Sequence, residues 1–258
     1  MNPSAGSATD LTGRAAIVTG AGTGIGQAAA IALARAGAYV GVHYATSATG
    51  AQATLDAIIA QGGRGELCQA DLTQPDQARR VVERVVEAAG RLDILFNNAG
   101  SLIQRSSIAD CPLELWKQAL DVNVTSAFLI TQAAIPHLQA CGRGSIINNL
   151  SLSVQTGGSG GAGPYAAAKG ALMVFTRTLA KELAPRVRAN SIMPGVVETP
   201  HHEQFTTPEK MEDYRRQTPL GRNATSAEIA NTVLFLAGDA SSFMTGAMLD
   251  LNGGRFLR

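Results

Sequence analysis

The chain has 258 residues, of which 45% are apolar and 16% charged, and its formal net charge at pH 7 is +1. This length suits one α/β domain with a sizeable core. The near-zero charge gives no electrostatic reason to expect a nucleic acid or a membrane surface as a partner. Three scattered cysteines without CxxC spacing indicate buried thiols in a reducing compartment, not a disulfide framework or a zinc site.

The first ten residues contain neither the basic segment nor the apolar segment of a signal peptide. We therefore expect residues 1–10 to form a disordered leader and residues 11–258 to form the domain. No apolar run approaches the length that crosses a membrane. These features predict a soluble, cytoplasmic protein.

Short apolar runs alternate with longer helical patterns along the chain. The predicted strands are, in order, AAIVTG, AYVGVHY, GELCQAD, LDILFNNAG, GSIINNLS, VRANSIMPG and GAMLDLNGG. Helical patterns lie between them, and the longest are DQARRVVERVVEAAG, LELWKQALDVNVTSAFLITQAAIPHL and PYAAAKGALMVFTRTLAKELA. This alternation predicts parallel strands joined by right-handed crossovers. The fold class is therefore a single doubly wound α/β domain, with a seven-stranded parallel sheet and helices on both faces.

Polar residues and glycines collect at the ends of the predicted strands. They follow strands one, three, four, five and six, and ligands of doubly wound sheets bind at that edge. The segment at about 200–220 breaks the alternation with polar, Pro-bounded helix. We expect this segment to form a lid over a substrate.

The glycine-rich stretch TGAGTGIG, residues 19–26, connects strand one to helix one. It does not fit the GxGxxG pattern, but it fits TGxxxGxG, with Gly20 in the turn and Gly24 and Gly26 close to a pyrophosphate. The amino terminus of the following helix offers free N–H groups and a positive dipole. The stretch predicts a dinucleotide site.

The residues after strand two bear on the choice of dinucleotide. An acidic residue about 20 positions after the loop normally binds the ribose hydroxyls of NAD. That count reaches Tyr44, and no acidic residue occurs between Asp10 and Asp56. Thr46 and Ser47 offer donors to a 2′-phosphate, although neither loop contains Arg or Lys. NADP is favoured, and NAD stays possible.

Tyr165 and Lys169 lie one helical turn apart, so their side chains leave the same helix face. A free tyrosine has a pKa of about 10, which is high for proton transfer near neutrality. A neighbouring ammonium and an oxidised nicotinamide would lower it. A serine hydroxyl, from Ser151 or Ser153, could then hold the oxygen of a carbonyl or alcohol.

The chain resembles the short-chain dehydrogenase/reductases, in their short single-domain branch. The resemblance rests on TGxxxGxG, Asp71, NNAG at 97–100, Asn123, Ser151, YAAAK at 165–169 and PGVVETP at 194–200. It implies a Rossmann-type fold, a nicotinamide cofactor, a carbonyl or secondary alcohol as substrate, and a homotetramer. Asn123, Ser151, Tyr165 and Lys169 would be the catalytic tetrad. In that tetrad Lys169 would bind the nicotinamide ribose and depress the tyrosine pKa, and Asn123 would hold a proton-relaying water. The cofactor-binding residues would be Gly20, Thr23, Gly24, Ile25, Gly26, Tyr44, Thr46, Ser47, Asp71, Leu72, Asn97, Ala99, Gly100, Tyr165, Lys169, Pro194, Gly195, Val197 and Thr199.

Which serine belongs to the tetrad depends on the residue from which positions are counted. Counting forward from Gly144, as in the family, reaches Ser151, whereas counting back from Tyr165 reaches Leu152. The loop TGGSGGAG is therefore one residue longer than usual, and Ser153 stays an alternative. We favour Ser151, because the backbone of a strand is more regular than that of a glycine-rich loop, so the count along the strand places the serine more dependably. We also expect that loop to be a flexible rim beside the pocket.

The substrate stays open at this level, because a fold does not fix a substrate. Resemblance favours a 3-oxoacyl-thioester reductase, with a sugar dehydrogenase as the alternative. A non-catalytic dinucleotide sensor is the rival from another class, although all four tetrad residue types are present. No histidine or cysteine has the spacing of metal ligands, so no metal is expected.

Overall fold

The computed structural model describes residues 9–257, with the side chains of residues 201–203 left out. The predicted leader lies almost wholly outside the described residues. Every strand that the sequence predicts is present. The strands are β1 (Ala15–Val18), β2 (Tyr39–Tyr44), β3 (Arg64–Gln69), β4 (Ile94–Asn97), β5 (Gly144–Asn149), β6 (Val187–Pro194), β7 (Val197–Glu198), β8 (Ala224–Thr225) and β9 (Met248–Leu251).

Helices connect these strands and follow the predicted patterns closely. The helices are α1 (Gly24–Arg35), α2 (Ala48–Ala60), α3 (Pro75–Ala89), α4 (Leu113–Leu120), α5 (Ser126–Ala140), α6 (Ser153–Thr156), α7 (Gly163–Glu182), α8 (Pro200–Phe205), α9 (Pro208–Arg216) and α10 (Ser226–Ala237). One π-helical turn, Asp121–Thr125, joins α4 to α5. The single long helix predicted at 113–138 is therefore two α-helices joined without a break by a π-helical turn.

The main sheet has seven strands, all parallel, in the order β3-β2-β1-β4-β5-β6-β9. The chain reverses its direction of progress across the sheet between β1 and β4. In open parallel sheets that reversal opens a crevice at the carboxyl ends of the strands. The short β7 and β8 pair with each other outside this sheet.

Apolar side chains cover both faces of the sheet. One layer packs α1, α2 and α10 against the sheet, and the other packs α3, α5 and α7. All four residues of β1 are fully buried, as a central strand covered on both faces requires. Each large aliphatic side chain buried this way contributes about 1.5–3 kcal/mol of transfer free energy. The rigid sheet therefore fixes the loops at its carboxyl edge. No helix within residues 9–257 is long and apolar enough to cross a membrane.

Candidate active site

A cavity of about 860 Å³ lies at the carboxyl edge of the sheet. Its walls come from the β1–α1 loop, the ends of β2, β4, β5 and β6, and the segment around α8 and α9. The sequence predicted this edge, and residues of the segment at about 200–220 line the cavity; the role of that segment as a lid over a substrate stays a prediction. Polar groups that are far apart in the chain therefore meet in one crevice.

The glycine loop lies at one end of this cavity. Gly20 has a φ of +63°, which a residue with a side chain rarely adopts. A Cβ on Gly26 would collide with the Gly20 carbonyl, so the loop closes only with glycine there. Helix α1 begins at Gly24, and Thr23 makes no side-chain cap. The first-turn N–H groups thus lack side-chain acceptors and fit a phosphate.

His43, at the end of β2, fastens the glycine loop to the sheet. Its Nδ1 accepts from the Gly20 N–H at 3.1 Å, so Nε2 carries the proton and donates to the Ala70 carbonyl at 3.1 Å. Burial lowers the pKa of His43 to about 4. The bond that Nδ1 accepts requires the neutral ring, which is therefore the form present near neutral pH.

Tyr44 and residues 45–47 line the cavity beyond this loop. Helix α2 begins directly after Ser47, which makes no side-chain cap, so the positive end of the α2 dipole lies here. Ser47 also packs against the glycine loop, because a Cβ on Gly22 would lie 3.0 Å from its Oγ. A neutral wall with a positive helix end suits an additional phosphate.

Tyr165 and the two serines lie where β5 ends. Tyr165 and Ser151 both line the cavity, and the Ser151 side chain acts on the Tyr165 hydroxyl to lower its pKa. Ser151 Oγ also accepts from the Ser153 backbone N–H at 3.2 Å. By contrast, the buried hydroxyl of Ser153 has no partner within the described chain. The strand end therefore directs Ser151, not Ser153, onto the tyrosine.

Lys169 is buried one turn along α7 from Tyr165. Its Nζ donates to the Asn149 carbonyl at 2.7 Å and lies 5.7 Å from the centroid of the tyrosine ring. Burial lowers the pKa of Lys169 to about 8. From the chain's own groups, burial raises the pKa of Tyr165 and the Ser151 bond only partly offsets it. A depression of the Tyr165 pKa by Lys169 and an oxidised nicotinamide stays a prediction.

Asn123 lies behind the cavity wall, in the π-helical turn, and is fully buried. Its amide donates to the carbonyls of Ser101 and Ala119, and its Oδ1 accepts from the Ser101 N–H. A Cβ on Gly100 would lie 2.5 Å from Asn123 Oδ1 and 3.1 Å from Lys169 Nζ. Gly100 therefore lets the asparagine and the lysine approach each other.

Most of the predicted site residues line this one cavity. They are Gly20, Thr23, Gly24, Ile25, Tyr44, Thr46, Ser47, Ala99, Gly100, Ser151, Tyr165, Lys169, Pro194, Gly195, Val197 and Thr199. Gly26 and Asn123 lie behind the wall. Asp71 and Leu72 follow β3 and are not brought to the cavity, because β3 is the outermost strand on that side.

The NNAG stretch is arranged differently from the prediction. Asn97 points into the core, where its amide donates to Thr131 and Asn148, so its side chain does not line the cavity. Asn98 lines it instead and donates to the carbonyls of Thr19 and Gly20. Successive residues of a strand point to opposite faces, which is the signal that could have identified Asn98.

Arg105 was not identified from the sequence, and it joins two loops at the cavity mouth. Its Nη1 donates to the carbonyls of Ser159 and Gly160, each at 3.0 Å, and its Nε donates to Phe205. The Ser106 N–H also donates to Gly161. The glycine-rich rim is thus held at two points, and Arg105 connects it to Phe205 in the predicted lid segment.

Comparison with known proteins gives one consistent result. A family model described as enoyl-(acyl carrier protein) reductase matches residues 20–255. An uncharacterized oxidoreductase of Methylorubrum extorquens is 42% identical over 247 residues, covering 95% of this chain and 98% of that protein. A 3-oxoacyl-[acyl-carrier-protein] reductase of Synechocystis sp. is 38% identical, with the same two coverages.

Solved structures agree with these relatives. A short-chain type dehydrogenase/reductase from Mycobacterium marinum matches with a TM-score of 0.92 and 35% identity, over 97% of this chain and 98% of that one. An NADH-dependent reductase responsible for alginate metabolism matches with a TM-score of 0.88 and 33% identity, over 97% and 100%. Sequence and structure thus point to one group of oxidoreductases.

Proposed function

The chain belongs to the short-chain dehydrogenase/reductase family of oxidoreductases, and on that premise we propose that it interconverts a ketone and a secondary alcohol with NADP(H). The observation that supports this most is that Ser151 lines the cavity together with Tyr165 and lowers the pKa of its hydroxyl, with Lys169 buried one turn away. These three side chains form the part of the site that can handle a proton.

The proposed roles follow from the position of each group. Ser151 holds the substrate oxygen, and the Tyr165 hydroxyl donates a proton to it in reduction or accepts one in oxidation. Lys169 carries its charge below pH 8 and fits the ribose hydroxyls beside the tyrosine. A dinucleotide held by the glycine loop and Lys169 would supply or accept the hydride. Asn123 keeps the Ser101 backbone, and with it the cavity wall, in place.

NADP is the proposed dinucleotide. The wall at Tyr44 and residues 45–47 holds no carboxylate to repel a 2′-phosphate, and the α2 amino terminus is positive. We expect Ala45→Asp to lower kcat/KM with NADPH by about tenfold or more, because the new carboxylate repels the phosphate. Ala45→Asn is the matched neutral control. Equal use of NADPH and NADH by the unaltered protein would contradict this preference.

A 3-oxoacyl thioester is the proposed substrate class, since the Synechocystis relative is named a 3-oxoacyl-[acyl-carrier-protein] reductase. A sugar with an oxidisable hydroxyl is the second candidate. Assays of a 3-oxobutanoyl thioester, neutral methyl ketones and glucose with each dinucleotide compare them. Turnover of none of these, with dinucleotide binding intact, would favour the non-catalytic sensor instead.

A homotetramer is the proposed assembly. Phe128 on α5 and Val174 on α7 expose 43% and 56% of their surface, and the Phe128 ring packs edge-on against Phe175. Neighbouring exposed apolar side chains on two helices suit a subunit contact. Light scattering should give the mass of four chains, and Phe128→Asp should lower it. A monomeric mass for the unaltered protein would contradict the proposal.

A further inference from the structure

The charged side chains that line the cavity are all positive among the described residues. Of the lining residues whose side chains are described, four are cationic and none is Asp or Glu; the cations are Arg105, Lys169, Lys210 and Arg255. The chain as a whole has a net charge of only +1, so the excess is local. Lys169 belongs to the buried catalytic group. The other three have no part in the proton and hydride transfer described above.

Arg255 is held in a defined position. Its guanidinium carbon lies 4.3 Å from the centroid of the Tyr214 ring, and its Nη2 donates to Gln217 Oε1 at 3.0 Å. Tyr214 is only 8% exposed, so the ring is a fixed support. No carboxylate of the described residues forms an ion pair with Arg255. Most of its N–H donors are therefore available to a ligand.

Lys210 places a second cation at the same ring. Its Nζ lies 5.3 Å from the Tyr214 centroid and pairs with Asp213 at 3.0 Å. Asp213 also lies 3.8 Å from Arg216, whereas Arg255 has no carboxylate partner among the described residues. An oxyanion bound at Arg255 would supply that partner, and a guanidinium fork matches the two oxygens of a carboxylate.

The order of the strands separates Arg255 from the proposed place of a 2′-phosphate. Arg255 follows β9, and Tyr44 ends β2, five strands away in the sheet order, which is roughly 24 Å. Ser151 follows β5, only two strands from β9, or roughly 10 Å. A molecule whose reacting carbonyl lies at Ser151 could therefore extend toward Arg255.

We propose that Arg255, supported by Tyr214 and assisted by Lys210, binds a carboxylate at the far end of the substrate, which makes oxo acids and the corresponding hydroxy acids substrates in place of the 3-oxoacyl thioester. The inference rests on the proposed ketone–alcohol chemistry for the reacting end alone. The phosphate of a pantetheine thioester is the other oxyanion that could lie there.

A series of methyl ketones tests the proposal. We would compare 3-oxobutanoate, 5-oxohexanoate and 7-oxooctanoate with their methyl esters, because each pair differs in the charge and by one methyl group. The unaltered protein should prefer at least one acid over its ester by about tenfold or more in kcat/KM. Arg255→Gln should abolish that preference, and Arg216→Gln should keep it, since Arg216 does not line the cavity. A second pair, 3-oxobutanoyl pantetheine with and without its phosphate, distinguishes the source of the oxyanion.

A binding measurement separates this inference from the proposed reaction. Calorimetric titration of heptanoate and of heptanamide needs no turnover, and heptanoate should bind more tightly in the unaltered protein but not in Arg255→Gln. Equal binding of the two compounds, or an unchanged preference in the variant, would overturn the carboxylate site even if ketones are reduced. A preference only for the phosphorylated pantetheine would reject the carboxylate and assign the site to the thioester arm. If heptanoate binds as expected and no ketone turns over, the carboxylate site stands and the proposed reaction fails.

Discussion

The two ends of the cavity differ in how far their polar side chains are exposed to water. At the buried end, Lys169 and Tyr165 are removed from water, and Lys169 donates to a fixed backbone carbonyl. Burial lowers the pKa of Lys169 and raises that of Tyr165. At the open end, Arg255 and Lys210 both lie near the Tyr214 ring, and most donors of Arg255 have no partner among the described residues. The buried end suits proton transfer, because low dielectric strengthens each interaction. The open end suits recognition of a charged group, because weakly desolvated cations bind an anion without a large burial cost.

Substitutions at the two ends should therefore affect different kinetic constants. Changes at the buried end should affect the rate of the chemical step, whereas changes at the open end should affect which substrate is bound. The two classes separate in a comparison of kcat with KM.

The largest effect is expected for Tyr165→Phe, which removes the hydroxyl that handles the proton. We expect kcat to fall by about 10³- to 10⁴-fold, near the upper end for loss of a general acid–base group. Dinucleotide affinity, measured by titration of NADPH fluorescence, should change little. A variant with nearly normal kcat would show that another group donates the proton.

The two serines should differ strongly although they lie two positions apart. Ser151→Ala removes the partner of Tyr165, and we expect a loss of about 10²- to 10³-fold in kcat. Ser153→Ala removes a hydroxyl that has no partner in the described chain, so its kcat should stay within about threefold. The reverse order would assign the oxygen-holding role to Ser153.

His43 predicts a pH dependence at the dinucleotide end. Its folded pKa of about 4 lies below the ordinary value of 6.5, so the unfolded chain binds the proton first as pH falls. The stability that the neutral ring contributes is therefore complete above pH 6.5 and lost between pH 6.5 and pH 4. Between pH 7 and pH 4.5 this amounts to about 2–3 kcal/mol of the free energy of unfolding.

Urea unfolding at several pH values checks this expectation. His43→Gln is the control, because it has no titratable group at this position. Its free energy of unfolding should fall less steeply with acidification than that of the unaltered protein. Parallel curves for the two proteins would exclude His43 as the source.

The smallest effect is expected for Arg105→Ala at the cavity mouth. The substitution removes the donors to the rim and to Phe205, but the side chain is exposed, so the free energy of unfolding should change by less than about 1 kcal/mol. KM should rise by about three- to tenfold as the mouth loosens, and proteolysis within residues 157–161 should become faster. Arg35→Ala, remote from the cavity, is the surface control. Unchanged KM and proteolysis would show that the mouth keeps its shape without Arg105.

Much of the fold could be predicted from patterns among residues that are close together in the sequence. Each strand of the main sheet was predicted, because a buried parallel strand between turn residues leaves a short apolar run. Tyr165 and Lys169 could be paired because helical spacing places i and i+4 on one face. Asn97 was misplaced because the pattern marks where a strand ends but not which side chain turns toward the cavity.

The sequence by itself determined the parallel sheet, the dinucleotide loop and the helical pair of tyrosine and lysine. Only the tertiary structure decided which serine meets Tyr165, since a glycine-rich loop of uncertain path separates them in the chain. Only the tertiary structure brought Arg105, Lys210 and Arg255 to one cavity, from segments far apart in the chain. Local patterns reflect interactions between neighbours in the chain, whereas a binding site depends on distances that the packed sheet alone sets.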